Sequence, residues 1–162
     1  MSITPTIKVQ SDDFDAGAEL AALNATDGQS GAIASFIGLV RGDDGLAALT
    51  LEHYPGMTEK QLCAIADQAA ARWPLSAITL IHRHGRLPVG AQIVFVATAS
   101  AHRRAAFEAC EFLMDWLKTR APFWKQEQWA NGSSRWVEAK SSDDDAADRW
   151  HVPAGGGGNG RA

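Results

Sequence analysis

Residues 99–125 read ASAHRRAAFEACEFLMDWLKTRAPFWK, a pattern typical of one amphipathic helix with basic residues at both ends. After Ser100, apolar residues recur at intervals of three and four, which is the spacing of one buried helix face. Ser100 itself is a good N-cap residue, and Pro122 disfavours helical backbone in the residue before it. We therefore predict an amphipathic helix that begins after Ser100 and ends near Thr119 or Arg120.

The start of this predicted helix has an unusual charge. His102, Arg103 and Arg104 occupy the first turn, where unpaired N–H groups already carry partial positive charge and acidic residues are favoured. Basic residues there cost from a few tenths of a kcal/mol to about 1 kcal/mol unless an anion binds. We therefore predict a site for a phosphate-like anion at this helix end. The alternative is a surface ion pair, such as Arg104 with Glu108.

The composition is that of one globular domain. The chain has 162 residues and is 46% hydrophobic, which is enough for one substantial core. The formal net charge of −4 gives no general positive field for nucleic acid or a membrane surface, so an anion must be bound locally. No apolar run has the length of a membrane span, and the N-terminus lacks the pattern of a signal peptide. A cytoplasmic location is expected.

Two cysteines are present, Cys63 and Cys110, and both occur among apolar residues in helical patterns. Such cysteines are usually small core residues rather than nucleophiles or disulfide partners. We therefore expect that any sulfur or acyl chemistry at this chain does not use its own thiols.

Strand-like and helical patterns alternate along residues 1–140. Several links between the predicted strands are too short for a crossover helix. We therefore predict an α+β single domain, in which about three helices pack on a mostly antiparallel or mixed sheet. The predicted strands are residues 6–10, 32–40, 49–54, 78–83, 92–99 and 135–140, and a loop with a turn at Asn131 and Gly132 is predicted before the last of them.

The end of the chain differs from the rest. Residues 141–162, SSDDDAADRWHVPAGGGGNGRA, are acidic and then rich in glycine. A stretch with so little to bury does not offset the entropy lost on ordering, so we predict a disordered tail.

Three polar residues outside the central helix are candidates for binding. His82 and His84, two apart in a predicted strand, would point the same way and suit a shared metal. No third ligand completes a recognisable pattern, so ordinary strand histidines are favoured and no metal site is predicted. Arg41 follows a buried-looking strand and precedes a loop, a position where binding groups often lie, although a single such arginine is usually a solvated charge.

Two lysines flank the end of the central helix. Lys118 lies in the last turn, where the helix dipole favours a cation, so a purely structural role explains it as well. Lys125 follows Pro122, Phe123 and Trp124. An apolar collar of that kind can desolvate an ammonium and lower its pKa toward a range useful for acid-base or nucleophilic chemistry.

Six separated motifs lie between residues 33 and 140. They are FIGLVRG at 36–42, LEHYPGM at 51–57, IHRHGRLPVG at 81–90, SAHRRAAFEAC at 100–110, MDWLKTRAPFWKQE at 114–127 and RWVEAK at 135–140. In combination they resemble the catalytic (large) subunit family of molybdopterin synthase.

The resemblance implies a sulfurtransferase of molybdenum cofactor biosynthesis. A small ubiquitin-like partner subunit, with a thiocarboxylate on its C-terminal Gly-Gly, inserts its tail into a pocket of the large subunit. Two such tails in succession supply the dithiolene sulfurs that turn cyclic pyranopterin monophosphate into molybdopterin. The family forms a dimer of large subunits flanked by two small ones, a heterotetramer, and no cofactor of the large subunit is implied.

The resemblance also implies roles for individual residues. Lys118 matches the lysine beside the partner's terminal glycine, where it polarises the thiocarboxylate carbonyl or stabilises the tetrahedral oxyanion. Lys125 matches the second lysine, a proton donor or substrate ligand. His102 and Arg103, with Arg41, are implied anchors of the phosphate or pterin.

Further positions are implied more loosely. Phe36 and Phe123 are candidates for pocket walls, although either is equally explained as a core residue. A basic residue of the neighbouring large subunit reaches each site in the family, and Arg135 or Lys140 is a candidate for it.

Two other functions remain open at this point. The first is a non-catalytic module that holds a ubiquitin-like tail by strand addition, which needs a groove but not two lysines. The second is a different phosphate-handling enzyme that uses the helix start together with a metal at His82 and His84.

Overall fold

A computed structural model describes residues 3–24, 28–137 and 148–150. In this part of the chain no helix is long and apolar enough to cross a membrane. The elements are β1 (Thr6–Gln10), α1 (Ala16–Asn24), β2 (Ala32–Leu39), β3 (Leu46–His53), α2 (Met57–Arg72), β4 (Leu75–Arg83), β5 (Gly85–Pro88), β6 (Gln92–Ser100), α3 (Arg103–Thr119), β7 (Phe123–Trp129) and β8 (Ser134–Val137).

The strands form two sheets of four strands each. The first has the order β1-β4-β6-β2, and the second has the order β5-β3-β7-β8. Strand β1 pairs parallel to β4, and the other pairings are antiparallel. The predicted α+β class with three helices and mixed or antiparallel pairing is confirmed, but the strands divide between two sheets instead of forming one.

The helices cover both faces of the first sheet. Side chains of α2 and α3 pack against Leu80, Val94 and Val96, which share one face because strand residues alternate. Leu23 of α1 packs on the opposite face, where Phe95 lies. Strand β6 is therefore buried on both faces, which explains its nearly continuous apolar sequence.

The central helix α3 ends at Thr119, as predicted, but its start is different. Ser100 is the last residue of β6, and its buried hydroxyl donates to the carbonyl oxygen of Pro74 at 2.8 Å. The N-cap is His102, which makes no side-chain capping bond. The prediction of Ser100 as N-cap is wrong, because this hydroxyl has a partner in the neighbouring strand connection.

The predicted loop after α3 is also wrong, because residues 123–129 form strand β7. This strand pairs with β3 on one side and β8 on the other, and these pairings compensate for its many polar residues. The Asn131-Gly132 turn is where it was predicted, and Gly132 has a φ of +88°, which glycine adopts without strain.

Most of the predicted tail, residues 141–162, lies outside the described residues. Trp150 is described, and it contacts the domain: its indole N–H donates to the carboxylate of Asp115 at 2.6 Å. Its ring also lies edge-on to the rings of Trp73 and Phe112, with centroids 5.6 and 5.7 Å away. These contacts are those expected of an aromatic ring with a polar partner, while the predicted disorder of the tail stays a prediction.

Replacing Trp150 by Ala should lower the free energy of unfolding by about 2 kcal/mol, less than for a fully buried tryptophan because part of the ring is exposed. The matched control is Trp136→Ala, since Trp136 is 53% exposed on β8 and should cost less than about 0.5 kcal/mol. Urea unfolding of the two variants measures both values. Equal losses would contradict the anchoring of this segment.

Candidate active site

Lys118 and Lys125 line one cleft of about 620 Å³. Lys118 lies in the last turn of α3, on the first sheet, and Lys125 lies on β7 of the second sheet. The cleft is therefore formed where the two layers meet. Its other lining residues are Leu39, Arg41, Asp43, Asp44, Leu46, Leu49, Ile93, Glu127, Trp129 and Arg135.

The alternation of strand β7 determines which of its side chains reach the cleft. Lys125, Glu127 and Trp129 line it, and Phe123 shares their face of the strand. Trp124 points to the other face and is 48% exposed. The predicted apolar collar of Lys125 therefore lacks Trp124, and only Phe123 lies on the side of the ammonium.

Basic residues outnumber acidic ones in the cleft by one, with Lys118, Lys125, Arg41 and Arg135 against Asp43, Asp44 and Glu127. The Arg41 Nε lies 2.5 Å from Asp43 Oδ2, and the Arg135 Nη2 lies 3.0 Å from Glu127 Oε2. Both guanidinium groups are largely exposed, and such pairs contribute little to stability. An anionic ligand can therefore replace either carboxylate at low cost.

His82 lies beside the cleft, although the sequence indicated it only as a possible metal ligand. It is 6% exposed, and its ring stacks on Phe123 with centroids 3.7 Å apart and planes 15° apart. Burial lowers the pKa of His82 to about 3, and the nearby charges of Lys125 and Lys118 act in the same direction. His82 is therefore neutral at physiological pH. Its Nδ1 lies 2.8 Å from the carbonyl oxygen of Arg83, so Nδ1 carries the proton.

Acidification should destabilise the fold through His82. Its pKa is about 3 in the folded chain against an ordinary 6.5, so between these values the unfolded chain binds more protons and stability falls as pH falls. From pH 7 to pH 5 this effect amounts to about 2 kcal/mol. The free energy of unfolding, measured in urea at both pH values, should therefore fall by about 2 kcal/mol more in the wild type than in His82→Phe. Equal losses would contradict a buried neutral imidazole.

His84 does not share a site with His82. Strand β4 ends at Arg83, and the His84 ring lies against His53, with centroids 4.4 Å apart. Burial and the charge of His53 lower the pKa of His84. Among the residues that the structure describes, no three His, Cys, Asp or Glu side chains are placed to hold a metal ion.

His102 and Arg103 do not line the cleft of their own chain. They lie at the start of α3, and Lys118 lies near its end, so the Cα atoms of Arg103 and Lys118 are about 22 Å apart along the axis. Phe36 is also outside the cleft lining: it is 39% exposed on β2, three residues before Leu39.

The basic start of α3 is only partly neutralised. The Arg104 Nε pairs with Glu108 Oε1 at 2.9 Å, which confirms the alternative interpretation for this one arginine. Hydrogen bonds from Arg104 and from Trp73 lower the pKa of Glu108. Within the described ranges, no carboxylate pairs with His102 or Arg103, so two basic residues at this helix end remain available for an anion.

Comparison with known proteins identifies the family. The family described as MoaE protein matches residues 9–120, more than half of the chain. This chain belongs to the MoaE family. A relative from Mesorhizobium japonicum, named molybdopterin synthase catalytic subunit, is 55% identical over 91% of this chain and 94% of its own length.

Two solved structures have the same fold as this chain. The molybdopterin biosynthesis MoaE protein from Burkholderia ambifaria matches with a TM-score of 0.78 and 55% identity, over 91% of this chain and 99% of that one. A complex of subunits 1 and 2 of the molybdopterin-converting factor from Helicobacter pylori matches with a TM-score of 0.68 over 83% of this chain and 90% of that one. At 22% identity, the second likeness concerns the fold alone.

The cleft contains only some of the residues that the MoaE resemblance implied. Lys118, Lys125 and Arg41 lie together, and Arg135 lines the cleft of its own chain. Lys140, the alternative to Arg135, lies outside the described residues.

Glu127 was not predicted from the sequence, although the alternation of β7 places it on the face of Lys125. The signal for it was the Asn-Gly turn, which predicts a hairpin and hence a strand on each side.

The thiol of Cys110 is buried in the core, as predicted. Burial raises its pKa to about 11, so it is protonated and unreactive at neutral pH. Cys63 is partly buried on α2, and neither cysteine lines the cleft. For a MoaE chain, this arrangement agrees with a sulfur donor on another molecule.

Proposed function

We propose that this chain is the catalytic subunit of a molybdopterin synthase. It transfers sulfur from the C-terminal thiocarboxylate of a small ubiquitin-like subunit to cyclic pyranopterin monophosphate and forms the dithiolene of molybdopterin. The observation that carries the proposal is the meeting of Lys118 and Lys125, from different layers of the fold, on one cleft with a basic excess. We place the reaction in the cytoplasm.

Lys118 acts on the partner's thiocarboxylate. Its ammonium, which lines the cleft, attracts this anion, polarises its carbonyl and stabilises the oxyanion that develops during transfer. No activated Ser, His or Asp group is needed, because the thiocarboxylate is itself an activated acyl group. The helix C-terminus holds Lys118 in a favourable position for a cation.

Lys125 and Arg41 act on the pterin substrate. Lys125 is half-buried on β7 and is placed to donate a proton or to bind the substrate directly. Arg41 exchanges Asp43 for the substrate phosphate, which accepts two parallel hydrogen bonds from a guanidinium.

His102 and Arg103 complete the site from a second copy of the chain. Because Arg103 lies about 22 Å from Lys118 along α3, one copy does not bring both to one small substrate. In a dimer, His102 and Arg103 at the start of α3 in one subunit can approach the cleft of the other. The phosphate-binding role of His102 and Arg103 then applies to the cleft of the partner subunit.

The exposed edge of the first sheet suits such a dimer. Strand β2 pairs with β6 on one side only within the described residues, and it exposes apolar side chains on its length. These exposed residues are Ile33, Phe36, Ile37 and Leu39. An unpaired apolar edge strand is a site for association, and a second copy of this chain is the occupant we propose.

The direction of α3 supports this arrangement. The Thr98 hydroxyl donates to the carbonyl oxygen of Ala106 at 2.6 Å, and Cys110 lies next to Val96, so α3 runs antiparallel to β6. Since β6 is antiparallel to β2, α3 runs parallel to β2. A two-fold axis across the middle of β2 makes the β2 strands of two copies run in opposite directions. The start of α3 in one subunit then lies toward the Leu39 end of β2 in the other.

The small subunit is the second partner. The relatives carry the name of a catalytic subunit, and the Helicobacter pylori structure contains two different subunits. We propose a heterotetramer in which two copies of this chain pair with two ubiquitin-like subunits. The Gly-Gly tail of each small subunit enters one cleft.

Reconstitution tests the proposed function. The purified chain is incubated with the small subunit in its thiocarboxylated form and with cyclic pyranopterin monophosphate, and the dithiolene product is detected by mass. We expect product with the thiocarboxylate and none with the same subunit carrying an ordinary carboxylate. Tight binding of the small subunit without any product would favour a non-catalytic module for ubiquitin-like tails.

A further inference from the structure

The relative position of the two lysines depends on the contact between the two sheets. Lys118 belongs to α3, which packs on the first sheet, and Lys125 belongs to the second sheet. Three residues, 120–122, connect α3 to β7. So short a link brings the lysines near each other but does not set the orientation of the second sheet.

His82 and Phe123 form a contact between the sheets at this point. His82 lies on β4, opposite Val9 of β1 and Val94 of β6, so strands on both sides hold it. Its ring stacks on Phe123, the first residue of β7. Phe123 precedes Lys125 by two residues and shares its face of the strand.

We propose that His82 is a positioning residue for Lys125, a proposal that rests on the function proposed above. By stacking on Phe123, the His82 ring holds the beginning of β7 against the first sheet. It thereby sets the position of the Lys125 ammonium relative to Lys118. His82 itself touches no reacting atom.

The chemistry of the ring agrees with a role in shape rather than in proton transfer. Burial keeps His82 uncharged, and its Nδ1 proton is directed to the carbonyl oxygen of Arg83. A charged ring would add a third cation beside Lys118 and Lys125. A flat neutral ring of this size is therefore what the position requires.

Two substitutions separate the stack from the hydrogen bond. His82→Phe keeps a flat ring and loses the bond to Arg83, whereas His82→Asn keeps a donor near the position of Nδ1 and loses the ring. We expect kcat to fall about tenfold or more in His82→Asn, with KM for the small subunit within about threefold of wild type. In His82→Phe, kcat should stay within about threefold of wild type.

Removing the other ring of the stack gives an independent check. Phe123→Leu should lower kcat about as much as His82→Asn, and the double variant should lose little more than either single one, because both remove the same contact. Crystal structures should show the Lys118 and Lys125 Nζ atoms unmoved in His82→Phe and shifted by about 1 Å in His82→Asn. These structures are informative even if the wild type made no product.

Three results would overturn the proposal. An unchanged kcat in His82→Asn would make the stack a core contact without functional effect. A loss in His82→Phe equal to that in His82→Asn, together with the loss of one limb of the pH profile, would make His82 an acid-base group. If the Lys118 and Lys125 Nζ atoms were unmoved in the His82→Asn structure, a loss of kcat would not come from a change in their position.

Discussion

Replacing Lys118 by Ala should lower the rate of product formation by about 10²- to 10³-fold. This is the effect of removing one donor that stabilises an oxyanion, and Lys118 is the cleft lysine implied to lie next to the thiocarboxylate. The affinity for the small subunit should change by less than about threefold, because one exposed cation is a minor part of a protein interface. Single-turnover product formation and direct binding measure the two quantities separately.

Lys60→Ala is the matched control for this variant. Lys60 is an exposed lysine on α2 that does not line the cleft, so its removal should leave the rate within about twofold of wild type. An unchanged product yield in Lys118→Ala would favour a module that binds the tail without acting on it. A loss of small-subunit affinity as large as the loss of rate would instead make Lys118 a docking residue.

A dimer made of one Lys118→Ala chain and one Arg103→Ala chain should regain about half of the wild-type activity, although each variant alone is nearly inactive. If Arg103 serves the cleft of the partner subunit, one cleft of this mixed dimer carries both substitutions and the other cleft carries neither. Expression of the two chains with different affinity tags, followed by purification on both, isolates the mixed dimer for the product assay.

The alternative hypothesis, in which each site is formed within one chain, predicts the opposite result. If Arg103 and Lys118 of the same chain formed one site, both clefts of the mixed dimer would carry a substitution, and the activity would stay at the level of the separate variants. The control is a doubly tagged wild-type dimer, which sets full activity. Arg104→Ala gives a second comparison. Because Arg104 already pairs with Glu108, this substitution should lower the activity less than Arg103→Ala does.

The central helix shows how far the sequence predicts this fold. The sequence predicted the end of α3 near Thr119 or Arg120, and the helix ends at Thr119, because local periodicity and a following proline are sufficient for that. The prediction of Ser100 as N-cap was wrong, because the hydroxyl of Ser100 bonds to Pro74, which is distant in sequence. A capping preference is a local tendency that a long-range partner overrides.

Strand β7 shows where the site itself escaped prediction. The sequence FWKQEQW lacks a clear alternation of apolar and polar residues, since its cleft face carries Lys125 and Glu127 and its outer face carries Trp124. Polar residues turned toward a binding cleft hide the pattern that predicts a strand. The predicted apolar collar of Lys125 included Trp124, which lies on the other face of the strand.

Motifs and local periodicity are properties of neighbouring residues, so they were enough to indicate the family, the α+β class, and the amphipathic central helix with its basic ends. The separation of about 22 Å between Arg103 and Lys118 likewise follows from the rise of one predicted helix. Which of these residues meet, by contrast, depends on how the helices and the two sheets pack. That packing brought Lys118 and Lys125 to one cleft and buried His82 between two sheets, where its ring stacks on Phe123. These contacts follow from the pairing and packing of strands that are distant in sequence, which no local pattern contains.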